Sequence, residues 1–225
     1  MDIIPVFIES ASHKTFCGAL DYPGWCRNGR DEDTALQTLL AYAPRYAAVL
    51  QADDLLFPPV QSLSQLVVAE RVPGNATTDF GAPDAVLASD QQAVSEEEAE
   101  RFQTILRACW HKLEQVARAA EGRELRKGPR GGGRDLTRIL GHVVESNRAY
   151  LASLAYKVQH AGQQDPLAEL HAIQQADQDA IENAVRNGLP HSGPRGGRIW
   201  TLRFFVRRVA WHVLDHAWEI EDRVQ

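Results

Sequence analysis

The apolar positions of this chain change period along its length. Up to about residue 86 they come in short runs. "IIPVFIE" and "TFCGALDYPG" are β-branched and aromatic stretches separated by "SASHK", which predicts a β-hairpin. "RDEDTALQTLLAYAPRYAAVL" then places Leu36, Leu39, Leu40, Ala43, Ala47 and Leu50 on one helical face behind an acidic first turn. Pro44 predicts a kink or a split in that helix. "QLVVAERV" reads as a further strand, stopped by "PGN".

From about residue 95 the period is helical and stays so. A first helix runs "SEEEAERFQTILRACWHKLEQVARAA", with Ser95 as N-cap and a seam of Phe102, Ile105, Leu106, Cys109, Leu113, Val116 and Ala120. A second, "RDLTRILGHVVESNRAYLASLAYKV", puts Leu136, Ile139, Val143, Tyr150 and Leu154 on one side. A third starts at "DPLAEL", Asp165 capping and Pro166 taking the first helical position, and fades at "NGLP". The fourth is "RFFVRRVAWHVLDHAWEIEDR". Four single-stripe helices bury their stripes against each other, so a four-helix bundle is expected. The fold class is therefore α+β: a small αβ domain over residues 1–86, then a bundle over 87–225. The turn-rich segment 73–93 is expected to link them.

Composition narrows the function. The net charge of −6 mixes both signs, which argues against nucleic-acid and membrane partners. No apolar run approaches the ~20 residues of a membrane span, and "MDIIPVFIES" lacks the features of a signal peptide. Cys17, Cys26 and Cys109 form neither a paired framework nor a CxxC, as expected of a cytoplasmic protein.

The candidate chemistry lies in the last helix. His212 and His216 are four residues apart and continue the seam of Leu202, Phe205, Val209 and Ile220. One seam histidine is usually a satisfied core residue. Two are harder to satisfy, because each neutral imidazole brings a donor and an acceptor. His142 in "ILGHVVESN" flanks the seam of the second helix at a depth of ~12 Å, where it can share a layer with the pair. Three imidazoles from two facing helices, with a position left over, make an open catalytic metal site suited to zinc, with nickel and iron also compatible.

"RVAWHVLDHAWEIEDR" together with "GHVVESNRAYL" resembles the DinB-like four-helix bundles over roughly residues 95–224. That resemblance implies His142, His212 and His216 as ligands of a divalent metal, commonly zinc or nickel. It also implies transfer of a low-molecular-weight thiol onto a small electrophile, or a thiol-dependent isomerisation. "FCGALDYPGWCRNGRDEDTALQTLLAY" is similar to HicB-like small αβ domains. HicB-like antitoxins often carry a DNA-binding element; none is visible here, which favours a covering role or a homodimer contact. A non-catalytic binder and a partner-binding regulator are the alternatives to an enzyme.

Glu145 and Glu219 each follow a ligand histidine by three residues and are candidate general bases or imidazole-orienting groups; exposed flank glutamates are the alternative. Asp177 is a weak candidate fourth ligand, and Asp215 and Glu221 are expected to be solvated. Cys109 reads as a buried apolar residue. His13, His111, His160, His171 and His191 read as surface or loop residues. Trp211 and Trp218 either wall a pocket or pack between helices. Arg203, Arg207 and Arg208, with Arg130, Arg134 and Arg195 of the two "GPRGG" loops, either rim the site for an anionic substrate or face solvent.

Overall fold

The β-branched run at the start of the chain becomes an inner strand of a four-stranded mixed sheet. In the computed structural model, which describes residues 2–127, 133–158, 166–193 and 197–225, β1 (Ile4–Ser10) pairs antiparallel with β2 (Thr15–Ala19). That is the expected hairpin. β3 (Cys26–Gly29) adds antiparallel beyond β2, and β4 (Leu66–Pro73) lies parallel to β1 on the other side. The order is β3-β2-β1-β4. Gly18 sits opposite Phe7, and a Cβ there would fall 2.5 Å from the Phe7 ring. Glycine is what lets that ring lie across β2.

The helical run after β3 is split, as Pro44 predicts. α1 (Glu32–Ala41) is capped by Asp31, which accepts from Thr34 N, and α2 (Ala43–Gln51) restarts with Pro44 in its first turn, where the missing N–H costs nothing.

The bundle consists of α4 (Glu96–Ala119), α5 (Leu136–Ser153), α6 (Pro166–Asn187) and α7 (Leu202–Arg223). Ser95, Asp135 and Thr201 cap α4, α5 and α7. The Asp165 cap and the residues between the glycines of the second "GPRGG" loop lie outside the described residues, as do the whole first loop and His160. α4 packs on α6 and α7, and α5 packs on α6 and α7, which closes the ring. α5 and α7 run antiparallel. Trp200 N donates to Ser153 O (2.9 Å) at one end, and Arg223 Nη2 to Arg134 O (2.8 Å) at the other.

Residues 73–93, expected to be a linker, are instead strapped down. α3 (Ala76–Phe80) lies within them. Buried Glu9 accepts from Thr78 Oγ1 (2.5 Å), Asp84 N (2.9 Å) and Ala85 N (3.1 Å). Glu70 accepts from Ala88 N (2.8 Å), and buried Asp90 pairs with Arg207 of α7 (2.5 Å). Composition identified the turn formers here but not the carboxylates that hold them.

Sheet and bundle share one hydrophobic core, running from Val6, Trp25 and Tyr46 to Leu106, Val143 and Val209. Gly24, at φ +96°, rests on α7: a Cβ there would lie 2.9 Å from Leu214 and 3.3 Å from the Ala210 Cβ. Residues 210 and 214 lie roughly opposite 212 and 216 around the helix at 100° per residue. The sheet thus covers one face of α7, and the histidines occupy the other. No described helix is long and apolar enough to cross a membrane.

Candidate metal centre

α7 is buried on nearly every face because the sheet takes one side and the helices of the bundle take the other. That leaves its second face pointing into the bundle. His212 is 5% exposed, and His216 is mostly buried beside it. α5 brings His142 opposite them. One nitrogen from each ring lies within 4.8 Å of the other two, and His142 Nε2 is 3.4 Å from His212 Nε2. The three rings meet edge to face, their centroids 4.7–5.2 Å apart.

The 3.4 Å His142–His212 separation is that of two nitrogens on one cation, and the 4.8 Å limit of the set has to shorten for a single ion to take all three. Two nitrogens on a tetrahedral metal at 2.0–2.1 Å are separated by ~3.3–3.4 Å. The protonation states fit as well. Burial, then the charges of His216 and Arg134, lowers His142 to about 4. Burial first, then His216, His142 and Arg208, holds His212 well below the ordinary imidazole value. Both rings stay neutral at pH 7 and keep lone pairs for a metal.

His216 is oriented by a carboxylate. Its Nδ1 lies 2.8 Å from Glu219 Oε2, so Nδ1–H donates outward and the Nε2 lone pair remains available. Glu219 is in turn held by Arg223. The His216 bond, partly offset by burial, keeps the Glu219 carboxyl below its usual range, so it is an ionised acceptor. Residues 216, 219 and 223 follow one face of α7. Arg223 was not singled out in the sequence, although its four-residue spacing from Glu219 is the signal for such a pair. Ser146, one turn after His142, places Oγ 3.5 Å from Nδ1, at the outer limit of a hydrogen bond. His212 Nδ1 is buried and has no hydrogen-bond partner among the described residues. Packing against Tyr150 (ring centroids 5.6 Å apart) and Trp211 (6.0 Å) sets that ring.

The other predicted residues divide sharply. Glu145 is exposed, and its carboxylate pairs with Arg148 (3.2 Å) rather than with His142. Asp177 is fully buried but is not a ligand. Its Oδ2 accepts from Asn147 Nδ2 (2.8 Å) and Trp110 Nε1 (3.0 Å), and burial pushes its pKa to about 7. Asp215 and Glu221 are more than a third exposed, as expected, and also pair with Arg27 (2.9 Å) and Lys112 (2.6 Å). Trp211 stands beside His212, whereas Trp218 packs on Tyr42 (5.0 Å) towards the sheet half.

Of the arginines that could either rim the site or face solvent, two are part-buried in ion pairs: Arg203 with Glu98 and Arg207 with Asp90. Arg208 and Arg134 remain, and the field of each is felt by His212. Arg130 and Arg195 lie outside the described residues. All three cysteines are free and buried; burial drives the Cys109 thiol up and Cys17 to about 12, so none is a ready nucleophile. His111 and His171 are half-exposed and pair with Asp53 (2.7 Å) and Glu114 (3.0 Å).

The three histidines can hold a metal ion: they converge within ligand distance, and no fourth protein ligand joins them among the described residues. The chain as a whole matches no family model, no curated protein and no solved structure.

Proposed function

We propose that this chain is a divalent-metal-dependent enzyme of the DinB-like class, joining a low-molecular-weight thiol to a small electrophile or using it in an isomerisation. The observation that carries this reading is the convergence of His142, His212 and His216, two of them well desolvated, with no fourth protein ligand among the described residues; an open position for an exchangeable ligand is part of the proposal. Zinc or nickel suits the all-nitrogen donor set. A divalent ion held there supplies Lewis acidity that lowers the pKa of a thiol or water taking the open position.

The chain's own groups do the rest. Glu219 keeps the Nδ1 proton on His216 and so aims its other nitrogen inward. Arg223 holds Glu219 in place. The Tyr150 and Trp211 rings restrict water around His212. The sheet half, HicB-like in its "YPG" turn and following helix, serves as a cover for α7 and as the contact surface of a homodimer, in a reducing cytoplasm where the buried thiols stay free.

The test is thiol consumption by the zinc- or nickel-loaded full chain with an activated aryl halide and a conjugated enone as electrophiles. The reading expects turnover that a chelator abolishes. Uniform inactivity of fully loaded protein would instead favour a non-catalytic metal- or small-molecule-binding protein.

A further inference from the structure

Most of the described arginines with buried or part-buried heads on α7 and its surroundings are paired with carboxylates. Arg27 meets Asp215, Arg203 meets Glu98, Arg207 meets Asp90 and Arg223 meets Glu219. Arg208 is only 9% exposed and forms no salt bridge among the described residues. Its Nη1 donates to the Pro83 carbonyl of the strap, and its Nε is buried without a partner. The guanidinium lies 5.5 Å from the Tyr150 ring centre and 5.1 Å from that of Trp211. Aromatic faces support a cation but do not neutralise it. A cavity of about 10 Å³ touches Arg208 and Trp211 from the sheet side, room for a single water, which carries no charge either. Asp84, the carboxylate whose field reaches Tyr150, is tied to Asn75.

A buried guanidinium without a counter-ion is costly, and a bound anion would offset that cost. The position of this one is specific. Arg208 precedes His212 by one turn on the same face of α7, and the Tyr150 ring, 5.5 Å from the Arg208 guanidinium, also packs on the His212 ring. With Nη1 committed to Pro83, the Nε edge is left for a second partner, and that edge of a guanidinium matches the two oxygens of a carboxylate.

We propose that Arg208 and Tyr150 form a carboxylate-binding subsite beside the three-histidine centre, so that the small molecule bound there carries a carboxylate as well as its metal-seeking atom. This deepens the thiol-transfer reading and rests on it for the identity of that atom. Arg208 is then a specificity-determining residue and Arg134, exposed and unpaired with any carboxylate among the described residues, adds to the attraction for anions.

The test compares mercaptoacetate with mercaptoethanol, two thiols that differ by the carboxylate, on the zinc-loaded full chain, followed through the fluorescence of Trp200 and Trp211. Mercaptoacetate is expected to bind about tenfold or more tightly than mercaptoethanol. Arg208→Gln should abolish the preference without changing zinc stoichiometry, Tyr150→Phe should weaken it several-fold, and Arg208→Lys should restore part of it. In the metal-free chain, acetate should perturb tryptophan fluorescence in the wild type but not in Arg208→Gln. Equal binding of the two thiols overturns the proposal. So does a preference that survives in folded Arg208→Gln or, if that variant does not fold, in Tyr150→Phe. A wild type that holds no zinc removes the thiol-transfer reading alone, and the acetate arm then decides the subsite.

Discussion

The bundle contains two buried polar clusters that look alike in sequence and differ in chemistry. On one side of α5, His142 meets His212 and His216 of α7. On the other, Asn147 meets Asp177 of α6 and Trp110 of α4. The first cluster gathers ring nitrogens, one from each histidine within 4.8 Å of the other two. The second gathers donors onto a single carboxylate oxygen. A set of converging acceptors calls for a cation, whereas Asp177 Oδ2 already takes two donors and only its other oxygen is buried without a partner among the described residues. Asp177, placed among the possible ligands by its position on an apolar line, belongs to the second kind. Its role is to fix how α4, α5 and α6 pack.

Metal binding should separate the two clusters most strongly. Zinc at about a thousand times its Kd should stabilise the wild type by about 4 kcal/mol. Thermal unfolding should show no such gain in His212→Ala but a full gain in Asp177→Asn. An equal response of the two variants would erase the distinction.

The clusters should also respond to pH with opposite signs in the metal-free protein. Asp177, raised by burial to about 7, keeps its proton in the fold after the unfolded chain has lost it. Its contribution is complete below the unfolded value of ~3.9 and is lost as pH rises through about 7, by up to about 4 kcal/mol. His142, lowered chiefly by burial to about 4, stays neutral in the fold while the unfolded chain takes up a proton. Its contribution is present above ~6.5 and is lost as pH falls through about 4. Urea unfolding across this range should give a curve whose high-pH decline disappears in Asp177→Asn and whose low-pH decline shrinks in His142→Ala. Unchanged slopes in both variants would contradict these assignments.

A smaller effect tests the support around the centre. Glu219→Gln should weaken zinc binding about 10- to 100-fold, since an amide holds the His216 proton less firmly than a carboxylate. Glu145→Gln, whose partner is Arg148, should leave zinc affinity within experimental error of wild type. Equal losses in the two variants, measured by competition with a chromophoric chelator, would mean that the spacing of three residues matters and the observed contacts do not.

Much of this was legible because long helices repeat their signal. The seams of α4, α5 and α7 recur over several turns, and His142, His212 and His216 could be placed in one layer from spacing alone. β3 was not, because "CRNG" is four residues without alternation, and it pairs only because the turn at Gly24 returns the chain to β2. The strap was missed because its hold on the sheet comes from Glu9 and Glu70, acidic residues that ordinarily face solvent. Glu145 and Glu219 share the same offset from a histidine, and only the helix neighbours distinguish them. Arg223 waits four residues beyond Glu219, whereas Arg148 draws Glu145 away. Arg208 was visible as a cation near the start of a helix. Its want of a carboxylate partner is a property of the fold alone.

The central claim is that three side chains hold one ion between α5 and α7. Metal analysis of the purified full chain, dialysed against zinc and then against buffer, tests it directly beside His142→Ala, His212→Ala and the control Glu145→Gln. One equivalent per chain is predicted in the wild type and the control, and none in either histidine variant, with all four folded by circular dichroism. Full retention of zinc by His142→Ala or His212→Ala would contradict it.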